Sequence, residues 1–266
     1  MNSKIDIHSR ANFAIKLAQE AGDLAVRIRA SRGDNLSVSN KGEQDFVTEA
    51  DMAVEDFIRS EIGKAFPEDV VLGEERGGDS LAERAWVIDP IDGTTNFIRL
   101  LPDWGVSIAY CIAGNPVCAA IAAPDLDILA DAELGGGARV NGQTTRVSDV
   151  AELSNSLFIV GRSQRTDFED YLSALRTLIN SGAEYRRHGS AALGLVNVAM
   201  GISDCYYEAH INSWDAMAGV LLVREAGGVV ECDEPRQFLE MGSVIYASNA
   251  HLGSFFKSLT PNSSAE

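Results

Sequence analysis

The sequence predicts a mixed α+β and α/β fold made of two packed lobes. Three observations predict it: helix-spaced apolar residues near the start, a series of short β-favouring runs after them, and alternating helix and strand patterns in the second half. A chain of 266 residues is long enough for two lobes of ordinary size. We place the boundary near residue 140, so that residues 1–140 form an α+β lobe and residues 141–266 an α/β lobe.

The first lobe is predicted to begin with two amphipathic helices, over residues 10–30 and 51–65. The hairpin-like runs that follow are typical of a largely antiparallel sheet, and they cover residues 70–72, 86–88, 105–113, 117–122 and 127–132. After the tight-turn signal Asn141-Gly142, the predicted order is strand 157–160, helices 166–180 and 190–200, strand 204–207, helix 215–226, and strands 228–231 and 243–247. The polar tail from residue 260 is expected to fray.

The composition favours a globular protein whose partners are not polyanions. Forty-five per cent of the residues are hydrophobic and the net charge is −17. This charge would repel nucleic acid and anionic membranes, so we expect no direct nucleic-acid binding and no membrane partner. An acidic site could accept an anionic phosphate only if bound cations reversed the local charge. The composition therefore points to metals wherever a phosphate is the ligand.

No segment is typical of export or of a membrane span. Residues 1–10 lack the apolar core of a signal peptide, and the longest apolar stretch, residues 106–123, is interrupted by Gly114-Asn115-Pro116. The cysteines lack Cys-x-x-Cys spacing and lie in apolar surroundings, which is typical of buried thiols in a reducing compartment: Cys111, Cys118, Cys205 and Cys232. We therefore expect a soluble, cytoplasmic protein.

The most informative segment is Trp-Val-Ile-Asp-Pro-Ile-Asp-Gly-Thr-Thr-Asn-Phe at residues 86–97. Its first three residues favour a strand that ends at Asp89, where Pro90 follows. In a continuing strand Asp89 and Asp92 would point to opposite faces, whereas a turn would let them share one ion. The alternative is an ordinary Asx-type turn that closes a core strand.

The residues after Asp92 are suited to a phosphate ligand. Gly93 lets the backbone approach a ligand closely. If a helical turn starts here, Thr94 and Thr95 offer a hydroxyl cap and unpaired backbone N–H groups that would hold phosphate oxygens.

Three further segments place acids at the ends of predicted elements. Glu74 follows the strand 70–72, Asp215 lies in the first turn of a helix, and Asp51 leads into the second helix. Singly, each acid is explained as a helix cap or a strand-end residue. Together they describe oxygen ligands for a hard cation, and Mg²⁺ suits them best. Such a cluster would repel itself by several kcal/mol at an effective dielectric of about 20, so it needs divalent ions to exist ionised.

Other metals are not indicated. No EF-hand-type Asp-x-Asp-x-Asp-Gly loop occurs. The histidines lack zinc-site spacing and are assigned structural or surface roles: His8, His188, His210 and His251.

Taken in order, these segments resemble those of the inositol monophosphatase family over nearly the whole chain. The matching segments are DFVTEAD at 45–51, GEE at 73–75, WVIDPIDGTTNF at 86–97, GSAA at 189–192, YE at 207–208, WDAMAG at 214–219 and EAGG at 225–228. The continuation Thr95-Asn96-Phe97 favours this branch over nucleotidase-like or histidinol-phosphate-like relatives.

The resemblance implies four sets of site residues. The ligands of two Mg²⁺ ions, which would also help to place a third, are Glu74, Asp89, Asp92, Asp215 and the carbonyl of Ile91. The attacking water would be oriented by Glu74 and Thr94, and Asp51 would form a hydrogen bond with Thr94. Phosphate oxygens would be held by the N–H groups of Gly93, Thr94 and Thr95. The alcohol side of the substrate would be lined by Gly189, Ser190, Ala191 and Glu208.

The resemblance also implies a layered αβαβα sandwich of the sugar-phosphatase type, usually a homodimer. The implied reaction is Mg²⁺-dependent hydrolysis of a small phosphate monoester, with myo-inositol 1-phosphate as the first substrate to test. Histidinol phosphate, fructose 1,6-bisphosphate, a nucleotide phosphate, or a regulatory binding role on the same fold remain alternatives. Lys41 lies one residue closer to Asp45 than the lysine that often faces such sites, and His210 stands where many relatives carry smaller residues.

Overall fold

Fourteen strands and eight α-helices make up the described part of the chain, residues 6–32, 38–42 and 45–259 of a computed structural model. The helices are α1 (Ile7–Arg32), α2 (Glu49–Ala65), α3 (Thr94–Ile98), α4 (Phe168–Asn180), α5 (Ala191–Ala199), α6 (Ser213–Glu225), α7 (Pro235–Met241) and α8 (Phe256–Leu259). The strands are β1 (Val38–Gly42), β2 (Asp45–Thr48), β3 (Val70–Gly73), β4 (Arg84–Asp92), β5 (Gly105–Ile112), β6 (Asn115–Ala123), β7 (Ile128–Glu133), β8 (Gly137–Val140), β9 (Gln143–Thr144), β10 (Leu157–Val160), β11 (Glu184–Arg186), β12 (Cys205–Ile211), β13 (Val229–Cys232) and β14 (Ser243–Ser248).

Two large sheets organise these elements. The first has seven strands in the order β3-β4-β5-β6-β7-β8-β9, and all neighbours are antiparallel except β3 and β4. The second has five strands in the order β11-β10-β12-β14-β13, parallel among the first three and antiparallel after that. The predictions of a largely antiparallel first sheet and of alternating helices and strands in the second half are confirmed.

The sheets and helices stack in five layers. Helices α1 and α2 cover the outer face of the seven-stranded sheet, α5 and α6 lie between the two sheets, and α4 and α8 cover the far face of the five-stranded sheet. The layered αβαβα prediction is therefore confirmed. The division into lobes at residue 140 stays a prediction.

Side chains of the buried strands alternate between two apolar layers, as the period of a β-strand requires. In β4, Trp86 and Ile88 pack against the outer helices, whereas Val87 faces the central helices. In β10, Phe158 faces the far layer and Ile159 the central one. The central helices are thus packed on both sides, and whatever projects from them lies between the sheets.

Most predicted elements are confirmed with ends shifted by a few residues. The predicted helix 10–30 is α1, Ile7–Arg32, and the predicted helix 215–226 begins at Ser213. Short elements such as β11 and α7 carry too few residues to show a period and were not predicted. The tail from residue 260 lies outside the described residues. No described helix is long and apolar enough to span a membrane.

The cysteines are free thiols. Three of them are buried and Cys232 is half-buried, in accord with the apolar surroundings read from the sequence. Burial raises the pKa of Cys118 to about 12, so this thiol stays protonated and unreactive at neutral pH.

One buried ion pair ties α1 to the outer face of the first sheet. Asp69 accepts hydrogen bonds from Arg10 Nε at 2.8 Å and from Trp86 Nε1 at 3.2 Å. The Arg10 and Asp69 side chains are only 12% and 1% exposed. Removal of one partner would leave the other charge buried without compensation.

We therefore expect Asp69→Ala to lower the free energy of unfolding by about 3 kcal/mol, because Arg10 loses its buried counter-charge. Chemical denaturation measures this loss. The control is Asp149→Ala, which breaks the exposed ion pair between Arg146 and Asp149, with side chains 78% and 72% exposed. That variant is expected to lose less than about 1 kcal/mol. Equal losses in the two variants would contradict a structural role for the Asp69 pair.

Candidate active site

An irregularity in β4 positions the first two carboxylates. The strand does not end at Asp89, as the sequence predicted, but continues through Pro90 to Asp92. Asp89 pairs with Ser107 and Asp92 pairs with Gly105, so three steps along β4 match two steps along β5. One extra residue is therefore accommodated in β4, as in a β-bulge. The prediction of a break at Pro90 was wrong because a bulge lets the strand continue past a proline.

The extra residue changes which face each side chain takes. Val87 faces the central helices, so Asp89 lies on the same inner face by alternation, while Ile91 packs in the outer layer. Asp92 then returns to the inner face beside Asp89. Asp89 Oδ1 also accepts the N–H of Ile91 at 2.9 Å, so the Asx-type turn is present and belongs to the site.

The start of α6 brings in the third carboxylate. Asp215 is the third residue of that helix, and its Oδ2 accepts the backbone N–H of Asn212 at 3.2 Å in a capping box. Carboxylate oxygens of Asp89, Asp92 and Asp215 all lie within 4.8 Å of one another. Asp215 is therefore both a helix cap and a member of the cluster.

Burial raises the pKa of all three carboxyls, and repulsion by neighbouring carboxylates adds to the shift at Asp89 and Asp92. Burial first, and then the charges of Glu74, Asp215 and Asp92, hold the pKa of Asp89 well above its usual range. Burial and the neighbouring Asp215 charge raise the pKa of Asp92 to about 7, against hydrogen bonds from Ser190 and the α5 backbone. Burial also raises the pKa of Asp215. Three carboxylates that resist ionisation together, two of them buried and one half-buried, form a donor set that fits a hard divalent cation.

Glu74 lies in the turn that follows β3. Because β3 runs parallel to β4 with Gly73 opposite Ile88, Glu74 comes next to Asp89, and its charge contributes to the raised pKa of that residue. Glu74 lies outside the 4.8 Å group of three. The structure thus brings together the four predicted acidic ligands around one point, with Glu74 on the periphery.

A buried glutamate of α2 holds the Glu74 turn, and the sequence reasoning missed it. The Glu55 carboxylate is fully buried and accepts the backbone N–H groups of Glu75 at 2.8 Å and Arg76 at 3.0 Å. A Cβ on Gly73 would come within 2.5 Å of this carboxylate, so that glycine leaves the space it needs.

Arg59 completes this clamp. Its Nε donates to Glu55 at 2.8 Å, and its other nitrogens donate to the carbonyl oxygens of Val71 at 3.1 Å and Gly77 at 2.5 Å. The only sequence signal was a glutamate and an arginine four residues apart, which is also typical of an exposed helical ion pair.

The start of α3 carries the predicted water- and phosphate-binding groups. Gly93 has φ 88°, a conformation that favours glycine, and the first helical turn begins at Thr94. The Thr94 hydroxyl lies 3.2 Å from Asp51 Oδ1 and 3.1 Å from the carbonyl oxygen of Ile91. The N–H groups of Gly93, Thr94 and Thr95 open this turn and have no partner within the helix. Their roles toward a ligand stay predictions.

The four residues predicted on the alcohol side line one cavity of about 160 Å³, together with Asp92 and Asp215. They are Gly189, Ser190, Ala191 and Glu208. Ser190 also caps α5 by accepting the N–H of Leu193 at 3.2 Å, and its hydroxyl donates to Asp92 Oδ2 at 2.5 Å. Ser190 therefore orients a carboxylate of the acidic cluster, a contact that its sequence position did not reveal.

Glu208 reaches this cavity from β12. Its Oε2 accepts a hydrogen bond from the Tyr206 hydroxyl at 2.5 Å. Burial raises the pKa of Glu208 to about 8, although the bond from Tyr206 opposes the shift. A Cβ on Gly161 would overlap this carboxyl, so the glycine is required by the position of Glu208.

Asn96 links helix α3 to the segment before Ser190, and the sequence reasoning missed this residue as well. Its Nδ2 donates to the carbonyl oxygen of Asp103 at 2.6 Å and to that of His188 at 2.8 Å. Gly93 approaches the same segment, since a Cβ there would lie 3.3 Å from Ser190 Cβ. Helix α3 is thereby fixed against the loop that carries the substrate-side residues.

Two residues that depart from the family pattern are now located. His210 Nε2 lies 3.0 Å from the carbonyl oxygen of Met241, a contact that fills the turn before β14. Lys41 is in β1, but its side chain lies outside the described ones.

The five-layer fold and the buried acidic cluster define a phosphatase-type scaffold. The chain belongs to the inositol monophosphatase family, whose model matches residues 6–262. It is 36% identical over 260 residues to the Nus factor SuhB of Pseudomonas aeruginosa, which covers 94% of this chain and 96% of the relative. It is 39% identical over 240 residues to the inositol-1-monophosphatase of Mesorhizobium japonicum. That alignment covers 88% of this chain and 90% of the relative.

A solved structure agrees with this assignment. The crystal structure of extragenic suppressor protein suhB from Bartonella henselae matches with a TM-score of 0.87 and 34% identity, over 96% of this chain and 99% of the other. The resemblance found in the sequence segments is therefore confirmed at the level of the family.

The acidic cluster makes the metal-free protein sensitive to pH. The pKa of Asp92 is about 7 in the folded state and near 3.8 in the unfolded chain, so the folded state holds this proton to higher pH. The contribution of this proton to stability is complete below the unfolded-state pKa of about 3.8 and is lost as the pH rises through the folded-state pKa of about 7. We expect the Tm of the chelator-treated wild type to fall between about pH 5 and pH 8.

Asp92→Asn removes this titration. We expect its Tm to exceed that of the wild type more at pH 8 than at pH 5, because the neutral amide cannot repel Asp89 and Asp215. Differential scanning fluorimetry in chelator measures both curves. A constant Tm difference across the pH range would contradict the assignment of a raised pKa to Asp92.

Proposed function

We propose that this chain is a Mg²⁺-dependent phosphatase of small phosphate monoesters, with myo-inositol 1-phosphate as the first substrate to test. The observation that carries the proposal is the group of three carboxylates within 4.8 Å, two of them buried and Asp215 half-buried, which opens onto a cavity lined by polar groups. Membership of the inositol monophosphatase family supports the reaction class. We further propose that the protein acts in the cytoplasm and that it forms a homodimer. Sedimentation velocity would test the oligomeric state.

The acidic residues would hold the metal. The proposed ligands of two ions are the side chains of Glu74, Asp89, Asp92 and Asp215 and the carbonyl oxygen of Ile91, which would also help to place a third ion. When bound, Mg²⁺ supplies positive charge that lowers the pKa of water and stabilises the departing alkoxide. In hydrolysis the water oxygen bonds to phosphorus, the bond from phosphorus to the alcohol oxygen breaks, and the alcohol leaves with a proton.

The residues around α3 would position the reacting groups. Glu74 would accept a hydrogen bond from the attacking water, and Thr94 would orient the same water with its hydroxyl fixed between Asp51 and Ile91. The N–H groups of Gly93, Thr94 and Thr95 would donate to phosphate oxygens. Their donors are fixed before the substrate arrives, so charge that develops in the transition state meets groups already in place.

The substrate-side residues would bind the alcohol. Gly189 and Ala191 leave room beside the cluster, and Ser190 is occupied by Asp92 and the α5 cap. Glu208 is the group best placed to bind a hydroxyl, because it faces the cavity and is held by Tyr206. Its pKa of about 8 leaves it protonated at neutral pH, so it can both donate and accept.

We expect Asp92→Asn and Glu74→Gln each to lower kcat by about a hundredfold or more at saturating Mg²⁺, with near-native folding. Phosphate release from myo-inositol 1-phosphate measures this, with and without Mg²⁺, and circular dichroism checks the fold. Glu75→Gln is the control, since it removes the same charge one residue further from β3. Near-wild-type turnover in Asp92→Asn or Glu74→Gln would refute the site assignment.

A substrate panel separates the proposed first substrate from its alternatives. Turnover of myo-inositol 1-phosphate is compared with that of histidinol phosphate, fructose 1,6-bisphosphate and a nucleotide phosphate. If the inositol ester is not hydrolysed but another ester is, myo-inositol 1-phosphate is excluded as the substrate and the proposed phosphatase reaction stands. No turnover of any ester with Mg²⁺ would remove the enzymatic proposal.

A second candidate function is regulatory binding to the transcription machinery. It is favoured by the name Nus factor SuhB carried by the Pseudomonas aeruginosa relative. Purified RNA polymerase and immobilised protein provide the test, with wild type and Asp92→Asn compared. Equal capture by both would support a role independent of catalysis, and no capture by either would overturn this candidate.

A further inference from the structure

His188 stands at the junction between two parts of the candidate active site, and the proposed reaction does not yet use it. Asn96 Nδ2 donates to the carbonyl oxygen of His188 at 2.8 Å and to that of Asp103 at 2.6 Å, so one amide ties the two residues together. A Cβ on Gly93 would lie 2.9 Å from the carbonyl oxygen of Asp103 and 3.4 Å from that of Gly189. The turn proposed to bind phosphate therefore meets the alcohol-side segment at this point.

The ester oxygen that leaves with the alcohol would lie where these two parts of the site meet. The reacting phosphate is proposed to bind at the turn that begins at Gly93, and the alcohol beside Ser190 and Glu208. The oxygen that joins phosphorus to the alcohol lies between those two groups in any bound ester. His188 lines the same cavity of about 160 Å³ as Ser190 and Glu208, and it is the one histidine among the described residues that line it.

The imidazole of His188 carries a buried nitrogen atom without a hydrogen bond. Its Nδ1 is buried and has no hydrogen-bond partner among the described residues. Asp103 Oδ1 lies 3.8 Å from Nδ1, close enough for an ion pair but too far for a hydrogen bond. Buried polar atoms without partners are uncommon, and a catalytic role is one of the explanations for them. Hydrogen bonds between catalytic groups are often long in the absence of substrate and shorten when it binds.

We propose that His188 is the general acid that gives a proton to the departing alcohol, and that Asp103 orients its ring. This inference rests on the proposed phosphatase function and names one further group in that site. The ring Nδ1–H donates to Asp103, and this leaves Nε2–H for the leaving oxygen. The sequence alone assigned His188 a structural or surface role, because no local pattern connects it with Asp103.

Proton transfer from His188 balances the reaction. When the bond from phosphorus to the ester oxygen breaks, its electron pair stays on that oxygen, and the Nε2 proton bonds there to give the neutral alcohol. The attacking water keeps one proton on the new phosphate and releases the other to solvent. The neutral imidazole then takes up one proton from solvent. The side chains of His188 and Asp103 are 32% and 36% exposed, so solvent can reach the pair between turnovers.

Leaving groups of different basicity test the proposal. The alkoxide of a sugar or polyol is a strong base that needs a proton to leave, whereas 4-nitrophenolate is stable as an anion and needs none. Single-turnover rate constants are measured at saturating Mg²⁺ for 4-nitrophenyl phosphate and for the alkyl ester that the wild type hydrolyses fastest. We expect His188→Gln to lower the rate constant about a hundredfold for the alkyl ester and less than about threefold for the nitrophenyl ester.

Three further measurements separate proton donation from a structural effect. Asp103→Asn should cause a smaller loss of the same kind, confined to the alkyl ester, because the ring stays but loses the charge that orients it. His8→Gln is the matched control and should change neither rate constant, since His8 also pairs with a carboxylate, that of Glu133 at 2.9 Å, but does not line the cavity. Isothermal titration calorimetry should give His188→Gln the Mg²⁺ affinity of the wild type.

Three outcomes would overturn the proposal while leaving the phosphatase function intact. One is an equal loss for both esters in His188→Gln, which would assign the residue to binding or folding. Another is an unchanged rate constant for the alkyl ester in that variant. The third is a weakened Mg²⁺ affinity in His188→Gln, which would assign its effect to the acidic cluster. A wild type that hydrolyses neither kind of ester would instead refute the phosphatase function on which the proposal rests.

Discussion

The structure depends on one unfavourable arrangement, three carboxylates enclosed within 4.8 Å of one another. Two unit charges 4 Å apart repel by about 4 kcal/mol at an effective dielectric of 20, so the ionised cluster would oppose folding by itself. The chain reaches this geometry through local devices, an extra residue in β4 and a capping box at the start of α6. Hydrogen bonds from Ser190 and backbone N–H groups hold the oxygens in place but leave their charge uncompensated. A divalent cation at this cluster would supply the positive charge that these groups do not.

The central helix layer is what allows the site to be assembled from distant parts of the sequence. Helices α5 and α6 are buried between the sheets, and their N-termini meet the inner face of β4. Ser190 and Asp215 therefore reach Asp92 from two different helices, and Asn96 fixes α3 against the same region. On the other side, the clamp of Glu55 and Arg59 fixes the turn that carries Glu74. The apolar packing of the layers thus determines the distances within the polar site.

Periodicity was enough to predict the longer elements, because each buried strand or helix repeats its own pattern of apolar residues. The layered αβαβα arrangement was predicted only through the resemblance to the inositol monophosphatase family. Acid positions at element ends were enough to nominate Asp89, Asp92 and Asp215 as neighbours. The continuation of β4 past Pro90 was not predictable, since a local rule places a break there and only pairing with β5 reveals the bulge. Glu55 and Asn96 were not predicted as site residues, and the hydrogen bond from Ser190 to Asp92 was not predicted either. Their contacts with Glu75, Asp103 and Asp92 join residues 7 to 98 positions apart in the sequence, and no local pattern records such contacts.

The arrangement of charge in the cavity explains how an acidic protein can select an anion. The net charge of −17 acts over the whole surface and is screened by salt within about 8 Å, so it opposes approach only weakly. Inside the cavity short-range groups decide. Asp92 and Asp215 line it together with Ser190 and Glu208, so a phosphate could lie against these carboxylates only if a cation supplied the opposite charge. The selectivity of the site would therefore depend on the local charge of the bound cation and not on the net charge of the protein.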